Sequence, residues 1–376
     1  MSKNLFVGVD GKARKAKELY VGVDGKARKI AKAYIGDENG KARLFWEKEN
    51  TPTTNFLEFV NNNSFSMSAT KLWDGTIEYN NGNGWTTWDG SEISSNNIHG
   101  RQRIYLRGSR NSYIRGNNAS YSNAWKIDGY RVECNGNIEC LLDYQKVAVG
   151  EHPVMSNNCF KYMFANCSAL IAAPQLPATT LAKSCYRGMF YKCDRLTTAP
   201  ELPATILADY CYDSMFSNCS SLTTAPALPA TTLTEYCYHG MFYNCYLTTT
   251  PQLPATTLAN DCYSGMFSNC GRLTTATALP ATTLAPNCYA NMFTACQELT
   301  TVPALPATTL TMSCYVQMFF GAISISETQS EDYPTPYRIP ITGEGTVGSR
   351  SLSNMFNITP TINTTYYLPK GISIIS

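Results

Sequence analysis

Charge is scarce in this chain. Of its 376 residues only 15% are charged, and 30 basic against 28 acidic side chains leave a net charge of +2. Nucleic-acid binding calls for a basic face that neutralises phosphates, so no nucleic-acid partner is expected. No run of 18 apolar residues occurs, and no membrane insertion is expected. The opening Met1–Gly8 lacks the apolar core of a signal peptide, which weighs against an exported adhesin. Histidine is limited to His99, His152 and His239. Zinc sites gather closely spaced cysteine pairs with histidines, so no metal site is expected. G-x-S-x-G, H-E-x-x-H and the P-loop are all missing, which excludes the commonest catalytic and nucleotide signatures. A formal G-x-G-x-x-G at Gly343, Gly345 and Gly348 has no acidic residue about 20 positions on and reads as a glycine-rich loop. The expectation is a non-enzyme without a cofactor. Paired carboxylates far apart in the chain stay open as glycosidase acids.

What is abundant is repetition. Between residues 157 and 320 the phrase C-Y-x-x-M-F-x-x-C-x-x-L-T-T-A-P-x-L-P-A-T-T-L-A-x-x recurs, led by Cys159, Cys185, Cys211, Cys237, Cys262, Cys288 and Cys314. The step is 26 residues, except for one of 25 where a residue is missing between Cys245 and Leu247. Such a period is the signature of a solenoid, in which each coil buries its apolar face against the next. Cys159, Met163 and Cys167 at i, i+4 and i+8 predict a short helix in each coil. Threonines predict a short strand, and the closely spaced prolines a braced return. Strands stacked about 4.8 Å apart would make six or seven coils a rod roughly 30 Å long.

Of the 15 cysteines, thirteen belong to two repeat columns, leaving Cys134 and Cys140. Disulfide frameworks of small secreted domains do not recur at every solenoid turn. Buried reduced thiols acting as small apolar fillers are the expectation. Cross-coil disulfides remain an alternative, because neighbouring coils can approach within bridging range.

The core M-F-x-x-C-x-x-L followed by P-x-L-P-A-T-T-L resembles the BspA-type leucine-rich repeats of bacterial surface proteins and of phage and prophage proteins. The resemblance covers roughly residues 155–320 and implies a leucine-rich-repeat solenoid used for adhesion and recognition. Phe319-Phe320-Gly321-Ala322 departs from it, without a second cysteine or L-T-T-A-P, and reads as the transition to a cap.

Near the N-terminus, Val7-Gly8-Val9-Asp10-Gly11-Lys12-Ala13-Arg14 returns 14 residues later as Val21–Arg28 and loosely as Ile35–Arg43. Asp-Gly or Asn-Gly between short alternating runs is the strongest local hairpin signal. The pattern resembles segments that open phage and prophage tail-associated proteins, which implies a docking module with Lys12, Arg14, Lys26, Arg28, Lys41 and Arg43 as virion-docking candidates. From Thr51 to Tyr144, short alternating runs broken by Asn and Gly predict a β-sandwich. They include residues 56–60, 76–79, 103–107 and 129–133. The Asn-rich residues 109–123 predict a long exposed loop.

The expected fold class is mainly β with short helices. A hairpin repeat (1–50) leads to a β-sandwich (51–150), a solenoid (151–320) and a β cap (321–376). Comparing coils separates positions fixed by packing from positions free to vary. The free columns place Arg187, Asp213 and His239 together, with Ser264; Tyr191 and Tyr243, with Ser217 and Ser268; and Asn218, Asn244 and Asn269, with Lys192. A second free set holds Asp194-Arg195, Ser220-Ser221, Gly271-Arg272 and Gln297-Glu298. Trp85 and Trp88, beside an Asn-Gly loop, are candidates to present rings to a sugar. The sequence is read as a phage tail or baseplate protein for host recognition. It would contact other virion proteins through residues 1–50, bind a host-surface glycan or protein, and assemble as a homo-oligomer, a trimer being typical of fibres. The alternatives are a bacterial cell-surface BspA-like adhesin and a glycan-degrading tail enzyme.

Overall fold

The computed structural model describes residues 56–116 and 125–303 and most of 305–324, together with residues 327–328 and 354–355. In residues 1–54 it describes the backbone of six strands. The chain divides into two compact units, Met1–Thr54 and Asn55–Ser376.

The first unit holds three antiparallel pairs. Strands β1 (Phe6–Val9) and β2 (Lys12–Lys15) pair with Val9 opposite Lys12 and Val7 opposite Arg14. Strands β3 (Leu19–Val23) and β4 (Lys26–Ile30) repeat that register, with Val23 opposite Lys26 and Val21 opposite Arg28. Strands β5 (Lys32–Gly36) and β6 (Ala42–Glu47) set Ile35 opposite Arg43, with a register shift between Ala33 and Tyr34. Two-residue Asp-Gly connections suit such pairs, because both central residues tolerate a positive φ. Lys41 lies outside the described residues.

The second unit begins with β7 (Leu57–Asn61), β8 (Ser66–Ala69), β9 (Thr76–Asn80) and β10 (Thr86–Thr87). After them come β11 (Ile93–Ser94), β12 (Asn96–Ile98) and β13 (Arg101–Ser109), then β14 (Trp125–Asp128) and β15 (Val132–Asn135). One sheet runs β10-β9-β13-β7-β15, with β12 on β13; a second, three-stranded sheet runs β11-β8-β14. Alternation in β13 buries Ile104 and Leu106 and leaves Arg103, Tyr105 and Arg107 half-buried, as a sheet with one wet face requires. Trp73, Trp88 and Trp125 cluster inside with ring centroids 5.2–6.3 Å apart. Helix α1 (Cys140–Ala148), interrupted at Asp143, buries Leu141 and Leu142 against this core. Nothing in the sequence reading anticipated it.

The solenoid is continuous with the sandwich. β15 pairs in parallel with β16 (Leu170–Ala172) of the first coil, Val132 opposite Leu170. Beyond it, single parallel bridges link coil to coil, from Ala172 to Thr198, Thr180 to Ile206, Thr249 to Thr275 and Thr257 to Thr283. One hydrophobic core extends from Leu57 to Met355.

The short helix expected in each coil does not form. Successive overlapping turns take its place, and their hydrogen bonds account for every second amide differently. In the second coil, Ser184, Tyr186, Gly188, Phe190 and Lys192 donate to carbonyls of the third coil at 2.8–3.0 Å. The amides between them, such as Met189 and Cys193, donate three residues back, to Tyr186 and Phe190. The scheme needs a left-handed residue at every fourth position. Asn158, Tyr162 and Asn166 supply it in the first coil, and the matching positions do so in every coil through Ser313, Gln317 and Gly321. A turn with negative φ at its second residue and positive φ at its third has the signs of type II, so turns of that kind alternate along the ribbon. The ribbon repeats every four residues. The i, i+4, i+8 set Cys159, Met163 and Cys167 therefore faces inward, as a helix would also have placed it. At this length the two periods cannot be told apart from sequence; bonds to the next coil decide the outcome.

Inside, aromatic rings form two offset stacks. Phe164, Phe190, Phe216, Phe242, Phe267, Phe293 and Phe319 follow one another at 5.5–5.8 Å. Phe160, Tyr186, Tyr212, Tyr238, Tyr263, Tyr289 and Tyr315 do so at 5.7–5.9 Å. These separations lie within the range of favourable offset stacking. All fifteen cysteines are buried and stand outside any disulfide. In the second column each thiol donates to a carbonyl of the coil before it: Cys193 to Phe164, Cys219 to Phe190, Cys245 to Phe216, Cys270 to Phe242 and Cys296 to Phe267, at 3.0–3.1 Å. The shortened coil keeps Leu247 fully buried, so its missing residue is absorbed at an outer corner marked by exposed Tyr246.

Both ends of the stack are met by chain that imitates a coil. At the start, Ile114 and Gly116 donate to Cys159 and Lys161, each at 2.7 Å, and Cys167 donates to Trp125. The Trp125 ring packs edge-on against Phe164. At the other end, the amide of Phe319 donates to Met355 at 2.8 Å. Met355 is buried in the core, and Asn354 before it has φ 50°. Asn354-Met355-Phe356 thus repeats the left-handed-residue, Met, Phe order of Asn291-Met292-Phe293, and residues 354–355 form part of an eighth rung. Of the β cap expected over 321–376, the described part also includes β18 (Glu327–Thr328), which pairs in parallel with β17 (Thr301–Val302). The loop at Gly343–Gly348 lies outside the described residues.

Candidate functional site

The turn ribbon sends alternate side chains inward, and the remainder build the outer columns. Lys161, Arg187, Asp213, His239 and Ser264 succeed one another in one column, a coil apart. At its middle the buried Asp213 carboxylate meets Arg187 Nε at 2.8 Å through Oδ2 and His239 Nδ1 at 3.1 Å through Oδ1. Ser214 Oγ donates to the same Oδ1 at 2.7 Å. With a side-chain exposure of 3%, Asp213 relies on these three partners, as a buried charge must. The Arg187 guanidinium also lies 5.3 Å over the Tyr210 ring. Lys161, next in the column, has its ammonium pKa lowered by burial and then by the Arg187 charge.

Tyr210 stacks on Tyr236 at 4.6 Å, and Tyr236 meets His239 edge-on at 5.5 Å. Burial, followed by the Asp261 carboxylate, raises the Tyr236 phenol. In the neighbouring columns, Asn244 Nδ2 donates to Asn218 Oδ1 at 2.9 Å, and Asn218 Nδ2 donates to Ser217 Oγ at 3.0 Å. Asn269 continues that column with φ 61°. Tyr243 is 39% exposed, and Tyr191 is half-buried with the Lys192 ammonium 5.4 Å over its ring.

A trough of about 340 Å³ runs along this face, lined by Ser214, Ser217, His239, Gly240, Tyr243, Ser264, Gly265, Ser268 and Asn291. It follows from a column the sequence reading passed over. The left-handed position that holds Tyr162 in the first coil and Asn291 in the sixth holds Ser214, Gly240 and Gly265 between them. A Cβ on Gly265 would meet nothing within 4 Å, and one on Gly240 only Ser214 Oγ at 3.5 Å. At Gly188, by contrast, the Tyr162 ring fills the space, 2.0 Å from where a Cβ would stand. The available signal was a run of small residues at a position that carries large polar ones elsewhere.

Trp85 and Trp88 do not form the pair of presented rings that was expected. Trp88 is 2% exposed, with Nε1 donating to Ser91 at 2.7 Å; its ring belongs to the tryptophan core. Trp85 is half-buried and carries the Arg107 guanidinium 4.1 Å from its ring centre, with Phe56 6.0 Å away. Arg107 is held in turn by Glu78, Nε to Oε2 at 2.7 Å.

Comparison with family models places the repeats. Residues 156–265 and 234–329 match the model of the BspA type leucine-rich repeat region, in six copies. Residues 156–329 are a BspA-type leucine-rich repeat region. No curated protein and no solved structure matches the chain. The BspA-type region thus includes every residue of the trough.

Chemically the trough offers hydroxyls, one amide, one imidazole and one phenol ring. Among the described residues His239 hydrogen-bonds to Asp213 and to no serine hydroxyl, so no nucleophile is paired with it. No group of three His, Cys, Asp or Glu side chains stands in metal-binding geometry among the described residues. There, too, no helix is long and apolar enough to cross a membrane.

Proposed function

We propose that the protein is a non-catalytic adhesion and recognition protein that acts at a surface, the BspA-type region being its binding element. The observation that carries this reading is the division of the repeat into a fixed interior and a varied outer face. Stacked rings and thiols recur with little change inside, while the columns that hold Arg187, the buried Asp213, His239, Tyr243 and the serines of the trough differ from coil to coil. A rigid scaffold with variable positions gathered on one face suits recognition. Placement at a bacterial cell surface, with a glycan or protein of a neighbouring surface as partner, is the form of this reading that the family of the repeats favours.

A second reading rests on the hairpins of residues 1–47. Two of them repeat one register, as tandem docking modules would, and their sequence resembles that of tail-associated proteins. In that case Lys12, Arg14, Lys26, Arg28, Lys41 and Arg43 contact a virion tail or baseplate, and the chain assembles there, as a trimer for example. The two readings separate by experiment. Purified full chain is tested for binding to bacterial and epithelial cells, beside a variant lacking residues 1–50. Binding by both supports recognition through the second unit; binding by neither overturns it. Co-sedimentation with tail particles only when residues 1–50 are present would favour the virion reading.

A further inference from the structure

We infer that the trough between the third and sixth coils is a binding site for a single neutral sugar ring. The inference rests on the recognition role proposed above and names its ligand class.

Three observations converge on it. The first is shape. A volume of about 340 Å³ sits at the low end of small-molecule sites, which run from about 300 to 1,000 Å³. It suits one ring rather than an extended chain. The opening exists because Gly240 and Gly265 stand in a column whose flanking coils carry Ser214 and Asn291, and no side chain fills the space beside Gly265.

The second is chemistry. Four serine hydroxyls line the trough together with the Asn291 amide and the His239 imidazole. A hydroxyl both donates and accepts, so a ring bearing several hydroxyls can be matched in either sense at each position. Tyr243, 39% exposed at the margin, supplies an aromatic face for the apolar side of such a ring.

The third is charge. No carboxylate, ammonium or guanidinium lines the trough. The Asp213 carboxylate, which stands behind the lining residues Ser214 and His239, is paired with Arg187 at 2.8 Å. An acidic sugar would find no free cation to pay for its desolvation, so uncharged hexoses and N-acetylhexosamines are selected.

The test uses the full chain and a panel of methyl glycosides of neutral hexoses, N-acetylhexosamines, glucuronic acid and sialic acid, read by saturation-transfer NMR and titration. Gly265→Asn is the decisive variant. Asparagine already occupies this column at Asn291 with φ 57°, so the change fills the trough without demanding a new backbone. The expected result is binding of at least one neutral glycoside, weakened about tenfold or more by Gly265→Asn and by Tyr243→Ala, with thermal stability retained. Binding of acidic glycosides alone, no binding of any glycoside, or binding indifferent to Gly265→Asn overturns the inference. Cell binding by the full chain together with no binding of any glycoside would sink the sugar site while leaving the recognition role standing.

Discussion

The thiol of Cys193 donates to the carbonyl oxygen of Phe164 in the coil before it, at 3.1 Å. The same contact recurs at Cys219, Cys245, Cys270 and Cys296. The carbonyl of Phe164 also accepts from the amide of Cys167 at 3.1 Å, so the thiol occupies a second lone pair that would otherwise be sealed from water. Cysteine at this position is both filler and donor. Replacing Cys219 by Ala removes a buried atom and a weak hydrogen bond. The expected loss is about 1–2 kcal/mol, read by urea denaturation. No loss would deny the column its structural part.

Burial pushes the Cys167, Cys185 and Cys237 thiols up to about 12, and the Cys193 and Cys219 thiols upward as well. The thiolate is the reactive form. Native protein at pH 8 should therefore leave the repeat cysteines unmodified by iodoacetamide, whereas denatured protein should be labelled at all 15. Rapid native labelling at Cys193 or Cys219, followed by peptide mass spectrometry, would show that the interior is open.

The same shift fixes the sign of a pH effect. In the unfolded chain these thiols ionise near their ordinary value, about 8.5. The folded state holds its protons to about 12 at Cys185. Stability is thus fully present below about pH 8.5 and falls as pH rises towards 12, because the unfolded state gives up protons first. Urea midpoints should decline steadily from pH 8 to 11. A midpoint that rises over that range would contradict buried, protonated thiols.

Gly188 and Gly265 occupy equivalent left-handed positions, at φ 57° and 61°, yet differ in what stands beside them. Gly265→Ala should cost roughly 1–2 kcal/mol, the penalty of a left-handed alanine. Gly188→Ala adds a clash with the Tyr162 ring and should cost clearly more. Equal melting temperatures for the two variants would mean that the ring does not lie over Gly188.

Met355 offers a local test of the eighth rung. Its truncation to Ala removes a buried side chain, which costs about 2–5 kcal/mol where the surroundings cannot collapse. In a solenoid that loss is felt mainly by the adjoining coil. Hydrogen exchange should quicken at the Phe319 amide while the Phe190 amide keeps its protection. Unchanged exchange at Phe319 would remove Met355 from the stack.

Much of this was legible in the sequence because it is written seven times. Repetition exposed the period and the inward Cys, Met, Phe and Leu columns, and it grouped Arg187, Asp213 and His239 on one outer column. What escaped had physical causes. A ribbon of turns and a helix both return a side chain after about four residues, so Cys159, Met163 and Cys167 could not distinguish them. The deciding bonds run to residues about 25 positions away, such as Phe160 to Cys185. Trp88 was misplaced because a tryptophan beside Asn and Gly looks exposed, although Trp73 and Trp125 close over it from distant strands. The trough was missed because an opening is made by what Gly240 and Gly265 lack.

Along the turn ribbon each coil presents a row of amides to its successor and a row of carbonyls to its predecessor, so the stack has direction. A further 26-residue coil inserted at any seam would find both of its edges already complementary to its neighbours. The molecule can therefore lengthen or shorten in whole steps without redesigning its interior. Substitutions in the outer columns would alter what is grasped at one step while neighbouring steps keep theirs. Reach and taste can evolve separately.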